Sequence, residues 1–406
     1  MSGVRVPPRE PNLYSDVMQI THLKRTKRLL NGHLWVFSNE IYENLKDYQP
    51  GSIVELYDMQ DRFIGVGYIN PKSLISIRLL TRNKEPIDRE FLRRRIKNAL
   101  SLRERFFNTR DAFRLVYSEG DYLPGLIVDK YKGCLVLQFL TMGMETLKDT
   151  IIELLDEIIK PEVIILRNDS SMRNLEGLTL YKEVVKGSLD PLPVINEDGL
   201  LFEIDPYEGQ KTGFFLDQRE NRTALCNFVK GGQQGLDLFC YVGAWSLRLA
   251  STGAEVTGVD SSEKAIRQAH KNAEINSLDN KVRFMREDVF LFLKDEIQKG
   301  EKRYDFIVLD PPAFAKTSGK IKEALKGYKE LNGMCLKLLK PGGILATSSC
   351  SYHLDREMFL DMLRSSGKDA ERGMRLLGLR SQGTDHPVNL FMPETEYLKC
   401  AFLLVD

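Results

Sequence analysis

The sequence predicts an α/β protein whose carboxy-terminal half is a doubly wound domain built on a parallel sheet. Three observations support this prediction. Strand and helix patterns alternate regularly from Gly209 onward, and the strand patterns are short apolar, β-branched runs. Several of these runs end beside an aspartate, and the run Phe306–Leu309 stops abruptly at Asp310, Pro311 and Pro312. Doubly wound sheets bind ligands beyond the carboxyl ends of their strands, so we expect the functional residues there.

The length and composition limit the class of protein. A chain of 406 residues exceeds one ordinary core, so we expect several domains. Hydrophobic residues make up 42% and charged residues 28%, and neither a membrane-spanning run nor a signal-peptide pattern occurs. The six cysteines are scattered without a C-x-x-C pair, and the histidines lack metal-ligand spacing. We therefore predict a cytoplasmic protein with no membrane contact, no disulfide framework and no metal.

The chain order predicts four segments. We expect a loose arm at 1–17, a small β-barrel at 18–88, a small α+β domain with a basic helix at 89–190, and the doubly wound domain at 191–406. The barrel is indicated by short strand patterns between turn residues. The α+β domain is indicated by strands followed by a helix and a further strand.

The amino-terminal part is basic. Residues 1–110 contain 20 Lys/Arg against 12 Asp/Glu, whereas the remainder contains 38 against 45. Such a surplus suggests an anionic partner, although ordinary solvated charge explains it as well. Trp35 and Phe37 could stack an RNA base, or each ring could belong to the core. The helix predicted over 88–108, with Asp88 as its N-cap, could likewise face RNA or be a solvated surface helix.

The strand ends of the doubly wound domain predict its cofactor. Only Gly243 stands where a dinucleotide-binding loop has three glycines, and no G-x-x-x-x-G-K-S/T phosphate loop occurs. Asp260 could accept hydrogen bonds from both hydroxyls of a ribose, and Asp288 could accept a hydrogen bond from the amine of an adenine. A ribose and an adenine without phosphates indicate S-adenosylmethionine. The predicted cofactor-binding residues here are Asp237, Phe239, Tyr241, Gly243, Asp260, Asp288 and Asp310; the alternative is a set of unrelated surface acids.

Several strings of the sequence match a known family in the right order. They are Gly32-His33-x-Trp35-Val36-Phe37, Arg114-Leu115-Val116, Leu123-Pro124-Gly125-Leu126-Ile127-Val128-Asp129, Gly209-Gln210-Lys211-Thr212-Gly213-Phe214-Phe215-Leu216-Asp217-Gln218-Arg219, Asp310-Pro311-Pro312-x-Phe314-x-Lys316 and Ser349-Cys350-Ser351. With them the chain resembles the RlmI-like large-subunit ribosomal RNA methyltransferases over nearly its whole length.

The resemblance implies a fold and an activity. The barrel would be a PUA-like RNA-binding domain, and the last domain a Rossmann-like class I methyltransferase domain. The reaction would be methylation of cytosine C5 in 23S ribosomal RNA, and a homodimer is possible. The resemblance also places Asp217, Gln218 and Arg219 in the cofactor site.

Cytosine C5 is too poor a nucleophile to take a methyl group unaided. A thiolate that adds to C6 makes C5 reactive, so the chemistry requires a cysteine and an acid near the ring nitrogen that gains charge. Cys350, at the polar end of the run Ile344–Ser351, is the predicted nucleophile, and Asp310 is predicted to hydrogen-bond the ring and orient the base. The predicted substrate-binding residues are Pro311, Pro312, Phe314 and Lys316.

Each of these residues has a distinct expected task. The prolines make a stiff turn with free carbonyls, and the Pro311 carbonyl would hold the amine of the base. Phe314 would contact the ring face, and Lys316 would bind a phosphate or lower the pKa of the thiol.

Three alternatives stay open at this point. Cys350 could be a small buried residue, the usual state of an isolated cysteine on an apolar strand. The Asp-Pro-Pro-x-Phe string would also suit methylation of an exocyclic amine or ring nitrogen of a purine, which needs no thiol. A non-catalytic RNA-binding or ribosome-assembly protein with a methyltransferase fold is the third alternative.

Overall fold

The computed structural model describes residues 18–107, 111–300, 302–314, 319 and 321–406. The arm predicted at 1–17 lies outside the described residues. The chain divides into two compact units. The first contains the described residues up to Phe106, with Leu115–Val128 and Leu137–Val185, and the second contains Phe107–Arg114, Asp129–Val136 and Lys186–Asp406.

The amino-terminal part of the first unit is a five-stranded sheet. Its elements are β1 (Gln19–Leu23), α1 (Lys27–Leu30), β2 (Trp35–Val36), β3 (Ile53–Asp58), β4 (Phe63–Ile69) and β5 (Ile77–Thr81). The strand order is β1-β3-β4-β5-β2, with β1 parallel to β3 and the other neighbours antiparallel. Trp35 is half-buried and donates its indole N–H to Glu119 at 2.8 Å, so this ring is held within the unit.

A second five-stranded sheet follows helix α2 (Arg89–Phe107). Its order is β10-β9-β8-β7-β6. The remaining elements are β6 (Ala112–Tyr117), β7 (Leu126–Tyr131), β8 (Cys134–Phe139), α3 (Met142–Thr146), α4 (Lys148–Ile159), β9 (Val163–Asn168) and β10 (Tyr181–Lys186). Asp88 accepts the backbone N–H of Phe91 at 2.8 Å, which confirms the predicted N-cap of α2.

The arginines of α2 are largely neutralised by carboxylates of the same unit. Arg89 binds Glu153 at 2.7 Å, Arg93 binds Glu157 at 2.8 Å, and the fully buried Arg103 is paired with Asp121. This helix therefore offers much less free positive charge than its sequence suggests. The solvated-helix alternative describes α2 better than an RNA-facing one.

The second unit contains a hairpin and a seven-stranded sheet. Its strands are β11 (Val194–Glu197), β12 (Leu200–Glu203), β13 (Gln234–Leu238), β14 (Glu255–Asp260), β15 (Val282–Arg286), β16 (Tyr304–Leu309), β17 (Leu339–Ser349), β18 (Met374–Arg380) and β19 (Lys399–Val405). Its helices are α5 (Arg219–Leu225), α6 (Ala244–Ala250), α7 (Glu263–Ile275), α8 (Val289–Gln298), α9 (Ile321–Leu338) and α10 (Arg356–Asp369).

The large sheet has the order β15-β14-β13-β16-β17-β19-β18. Strands β13 to β17 are parallel, and β19 runs antiparallel to both β17 and β18. Strand β16 is buried on both faces. Phe306 and Val308 belong to one apolar cluster, and Ile307 and Leu309 belong to another on the opposite face. Helices therefore cover both sides of the sheet, which confirms the predicted doubly wound domain.

Candidate active site

A cavity of about 440 Å³ opens at the carboxyl ends of the parallel strands in the second unit. Its walls include the loops after β13, β14, β16 and β17, which are neighbours in the sheet. The structure therefore brings together the predicted residues Asp217, Gln218, Phe239, Tyr241, Asp260, Asp310, Pro311, Pro312 and Cys350. A cavity of this size, within the range of about 300–1,000 Å³, suits a small-molecule ligand.

One side of the cavity is organised around Asp260. Its Oδ2 accepts the backbone N–H of Tyr241 at 3.0 Å, and its Oδ1 accepts that of Ser262 at 2.9 Å. Each oxygen keeps lone pairs that could accept a ribose hydroxyl. Phe239 and Tyr241 have φ values of 64° and 49°, an uncommon conformation for large residues. Such backbone strain is concentrated at functional sites, where surrounding structure holds it in place.

The other side is organised around Asp310. Gln218 donates its amide N–H to the two Asp310 oxygens at 3.1 and 3.0 Å and to Ser348 Oγ at 3.1 Å. The indole N–H of Trp245 also donates to Asp310, at 3.1 Å. Burial nevertheless raises the pKa of the Asp310 carboxyl above its ordinary value. Cys350 lines the same cavity, so the two predicted strand ends do meet in one site.

Lys211 is the main charged residue of the cavity that the sequence did not single out. Its ammonium binds Asp217 at 2.7 Å and lies 4.3 Å from the centre of the Phe215 ring. Burial disfavours the charged form of Asp217, but the Lys211 ammonium and other partners hold the pKa of this carboxyl below its usual value. Burial raises the pKa of the Cys350 thiol, and the charge of Lys211 opposes that rise. Lys211 therefore sets much of the electrostatic balance here.

Two of the predicted strand-end acids do not line the cavity. Asp237 is fully buried, and its Oδ2 accepts both the N–H and the hydroxyl of Ser246 at 2.9 and 2.6 Å. Burial raises the pKa of Asp237 to about 7. Asp288 is exposed and accepts the backbone N–H of Leu291 at 3.1 Å as the N-cap of α8. Both acids accept hydrogen bonds at helix amino termini, which gives each a structural role. Their assignment to cofactor contacts stays a prediction.

Arg219 and Gly243 also lie outside the cavity lining. The guanidinium of Arg219 is buried, 3.4 Å from Glu197 Oε2, and it donates to the Ala112 carbonyl. Gly243 has φ +81° and caps α6, and a Cβ there would lie 2.8 Å from the ring of Phe284. Arg219 thus stabilises the fold, and Gly243 permits a tight turn into the helix.

The residues predicted to bind the substrate lie in different places. Pro311 and Pro312 line the cavity, whereas Phe314 packs against Tyr328 with ring centres 4.7 Å apart. Phe314 is not among the lining residues, and its contact with the face of the base stays a prediction. Lys316 lies outside the described residues.

The buried carboxylate of Glu197 gives a stability prediction. It accepts two hydrogen bonds from Arg222, at 2.9 and 2.6 Å, and its Oε2 lies 3.4 Å from Arg219 Nε. Glu197→Ala leaves two buried guanidiniums without this partner, so we expect unfolding free energy to fall by about 3–5 kcal/mol. Urea denaturation measures this loss. Glu263→Ala, which removes an exposed partner of Arg267, should change the midpoint little; equal midpoints for both variants would contradict the prediction.

A pair of aspartates tests the placement of the cofactor. Asp260→Ala should weaken binding of S-adenosylmethionine by about 1.5–3 kcal/mol, roughly tenfold to a hundredfold, because it removes a charged hydrogen-bond acceptor. Asp288→Ala should leave that affinity unchanged and lower stability by about 1 kcal/mol through loss of a helix cap. Isothermal titration calorimetry measures both affinities. A larger loss of affinity for Asp288→Ala than for Asp260→Ala would contradict this expectation and indicate that Asp288 contacts the cofactor.

Among the residues that the structure describes, no group of three or more His, Cys, Asp or Glu side chains is placed to hold a metal ion. Within the same residues, no helix combines the length and the apolar character needed to cross a bilayer.

Family models match two parts of the chain. A model described as a PUA-like domain matches residues 22–82, and one described as a methyltransferase domain matches residues 230–379. Among solved structures, one described as a SAM-dependent methyltransferase from Streptococcus mutans has a TM-score of 0.82 at 23% identity, covering 95% of this chain and all of that one. SMU.776, solved with SAH, has a TM-score of 0.83 at 22% identity, covering 96% and 100%. These likenesses establish the fold.

The doubly wound sheet, the cavity at its carboxyl edge and the matched methyltransferase domain define a class I S-adenosylmethionine-dependent methyltransferase. The donor set fits this cofactor, because the Asp260 oxygens can accept hydrogen bonds from a ribose and the sequence contains no G-x-x-x-x-G-K-S/T phosphate loop.

Curated relatives define the family more narrowly. Ribosomal RNA large subunit methyltransferase I of Shewanella denitrificans is 38% identical over 382 residues, which cover 92% of this chain and 96% of that protein. The enzyme of the same name from Aeromonas hydrophila is 37% identical over the same span. The chain belongs to the ribosomal RNA large subunit methyltransferase I family.

Proposed function

We propose that this methyltransferase converts a cytidine of 23S ribosomal RNA to 5-methylcytidine through a covalent adduct between Cys350 and C6 of the base. The observation that carries the proposal is the meeting of Cys350 and Asp310 in one cavity at the ends of the neighbouring strands β17 and β16. The names of the curated relatives support ribosomal RNA as the substrate.

The chemistry begins at the thiolate. Cys350 Sγ forms a bond to C6, the ring electron pair moves toward N3, and Asp310 delivers a proton to N3. This leaves C5 nucleophilic. S-adenosylmethionine supplies an electrophilic methyl group when bound. A base then removes the C5 proton, the C5–C6 double bond re-forms with release of the thiolate, and N3 returns its proton to Asp310.

The environment of Asp310 supports this proton transfer. Burial raises its pKa, so the protonated form that can donate to N3 is easier to populate than for an exposed aspartate. Gln218 and Trp245 hold the carboxyl in place by donating to its oxygens. A target base would reach this recessed site only if it is unpaired or flipped out of a helix.

The methylated nucleoside that the enzyme produces identifies the reaction. Purified protein, radiolabelled methyl donor and transcribed 23S RNA would be incubated, and the RNA would be digested to nucleosides for chromatography. Label in 5-methylcytidine is the expected result. Label in an N-methylated purine would favour the alternative that needs no thiol. Failure to bind the methyl donor, together with retained RNA binding, would favour the non-catalytic alternative.

The remaining assignments are also proposals. We propose that residues 18–88 contact RNA, that 89–190 form the central domain and 191–406 the catalytic one, and that the enzyme acts in the cytoplasm. A homodimer is proposed on the family resemblance. Light scattering would test it, since a monomer has a mass of 46.5 kDa.

A further inference from the structure

Lys399 is a buried lysine on β19, the strand next to β17, which Cys350 directly follows. Alternate residues of β19, namely Ala401, Leu403 and Val405, belong to the apolar cluster that includes α9 and α10. Lys399 continues this row and is only 4% exposed. The two-residue period of the strand therefore puts an ammonium where the fold would accept an aliphatic side chain.

The ammonium of Lys399 is held by carbonyls. Its Nζ donates to the carbonyl of Ser351, the residue after Cys350, and to that of Tyr397, both at 2.8 Å. Among the described residues it forms no ion pair. The acids in its surroundings are engaged elsewhere, because Glu396 binds Arg356 and Asp355 caps α10.

A buried charge without an ion-pair partner costs stability, so such groups are concentrated at functional sites. Burial lowers the pKa of Lys399 to about 8, and interaction with Cys350 opposes that decrease. The side chain is therefore still mainly charged at neutral pH. The other cation near the thiol, Lys211, is bound by Asp217.

We propose that Lys399 is a positioning residue that fixes the end of the Cys350 strand and supplies the uncompensated positive charge that stabilises the Cys350 thiolate. The inference rests on the proposed function, because a thiolate is needed only if Cys350 is the nucleophile. The hydrogen bond from the Lys399 ammonium to the Ser351 carbonyl accounts for the positioning, because it links the turn after Cys350 to β19. The hydrogen bond to the Tyr397 carbonyl extends the same network to Asp217, which accepts a hydrogen bond from the Tyr397 hydroxyl.

The titration of Cys350 depends on all the groups that face it. Around the thiol these are Lys211, Asp217, Asp310, Tyr328 and Lys399 itself, and around Lys399 they are Glu396, Asp355 and Arg356. Burial raises the pKa of the thiol, and the carboxylates of Asp310 and Asp217 raise it further. A positive charge is therefore needed to keep a useful thiolate fraction.

The test measures the thiol pKa directly. The rate of iodoacetamide modification of Cys350 would be followed against pH by peptide mass spectrometry in the free protein, without RNA. Lys399→Met removes the charge and the donors, whereas Lys399→Gln removes the charge and keeps an amide donor. Lys340→Met, which removes a partner of Asp305 near the amino end of β16, is the matched control. Calorimetric binding of S-adenosylmethionine shows that each variant is folded.

In both uncharged variants, the pH at which the modification rate is half-maximal should rise by about one unit. This corresponds to a roughly tenfold smaller thiolate fraction at neutral pH. The control should match wild type. Unshifted profiles for both variants would overturn the inference. A shift for Lys399→Met that Lys399→Gln reverses would also overturn the claim about charge, leaving only a hydrogen-bonding role. Because no methyl transfer is involved, these outcomes are separate from failure of Cys350 as a nucleophile, which Cys350→Ala reports.

Discussion

Cys350→Ala is expected to reduce methyl transfer by at least about 10³-fold, because the adduct that activates C5 cannot form without a nucleophile. Binding of S-adenosylmethionine should change little, since the thiol is assigned to the base and not to the cofactor. Single-turnover assays with saturating methyl donor measure the chemical step, and calorimetry measures the binding step.

The matched control is Cys226→Ala. Cys226 is a half-buried thiol outside the cavity lining, so its loss should leave the rate near that of wild type. Equal rates for Cys350→Ala and wild type would remove Cys350 from the mechanism. In that event the exocyclic-amine alternative would lead, since Asp310, Pro311 and Pro312 would still line the cavity.

Asp310→Asn is expected to lower kcat by about 10²- to 10⁴-fold, the usual contribution of a positioned proton donor. Asparagine has nearly the same shape and keeps an oxygen that can accept from Gln218 and Trp245, so the cavity should persist. It cannot deliver a proton to N3. Single-turnover rates with bound cofactor measure the loss, and a rate within threefold of wild type would contradict the role of Asp310.

The rate of methyl transfer should depend on pH in a direction that the two assigned residues define. The reaction needs Asp310 protonated and Cys350 ionised, and burial raises both pKa values. The wild-type rate should rise with pH up to the pKa of Asp310, stay level, and fall above the pKa of Cys350. In Asp310→Asn the rate should instead keep rising through the neutral range. A flat neutral region in both proteins would contradict the assigned proton donor.

The sequence was sufficient for the large-scale fold and for the meeting of two strand ends in one cavity. The apolar runs before Asp310 and at Ile344–Ser351 predicted two strands whose polar ends share one pocket, and β16 and β17 are indeed neighbours. A parallel sheet allows this inference, because its active edge is fixed by strand direction alone.

The roles of individual acids at that edge were less predictable. Asp237, Asp260 and Asp288 all lie near the carboxyl ends of strands, yet of these three only Asp260 lines the cavity. Aspartate is equally suited to capping a helix and to binding a hydroxyl, and the distinction depends on side-chain direction. A residue at a strand end is therefore a candidate, and its three-dimensional partners decide its role.

Other site residues gave no distinctive sequence signal. Trp245 reads as an ordinary apolar helix residue, but its N–H reaches Asp310 from the start of α6. Lys399 reads as a surface lysine, yet the register of β19 buries it. The helix α10 and the strand β18 were also missed, although they complete the sheet on the side of β19.

RNA that contains 5-fluorocytosine gives the most direct test of covalent catalysis by Cys350. Fluorine at C5 cannot be removed as a proton, so an enzyme that adds a thiolate to C6 and methylates C5 stays bound to its RNA. Wild type incubated with this RNA and methyl donor should give a protein–RNA adduct that survives denaturation, and Cys350→Ala should give none. Absence of an adduct with wild type, together with normal methylation by Cys350→Ala, would contradict covalent catalysis by Cys350.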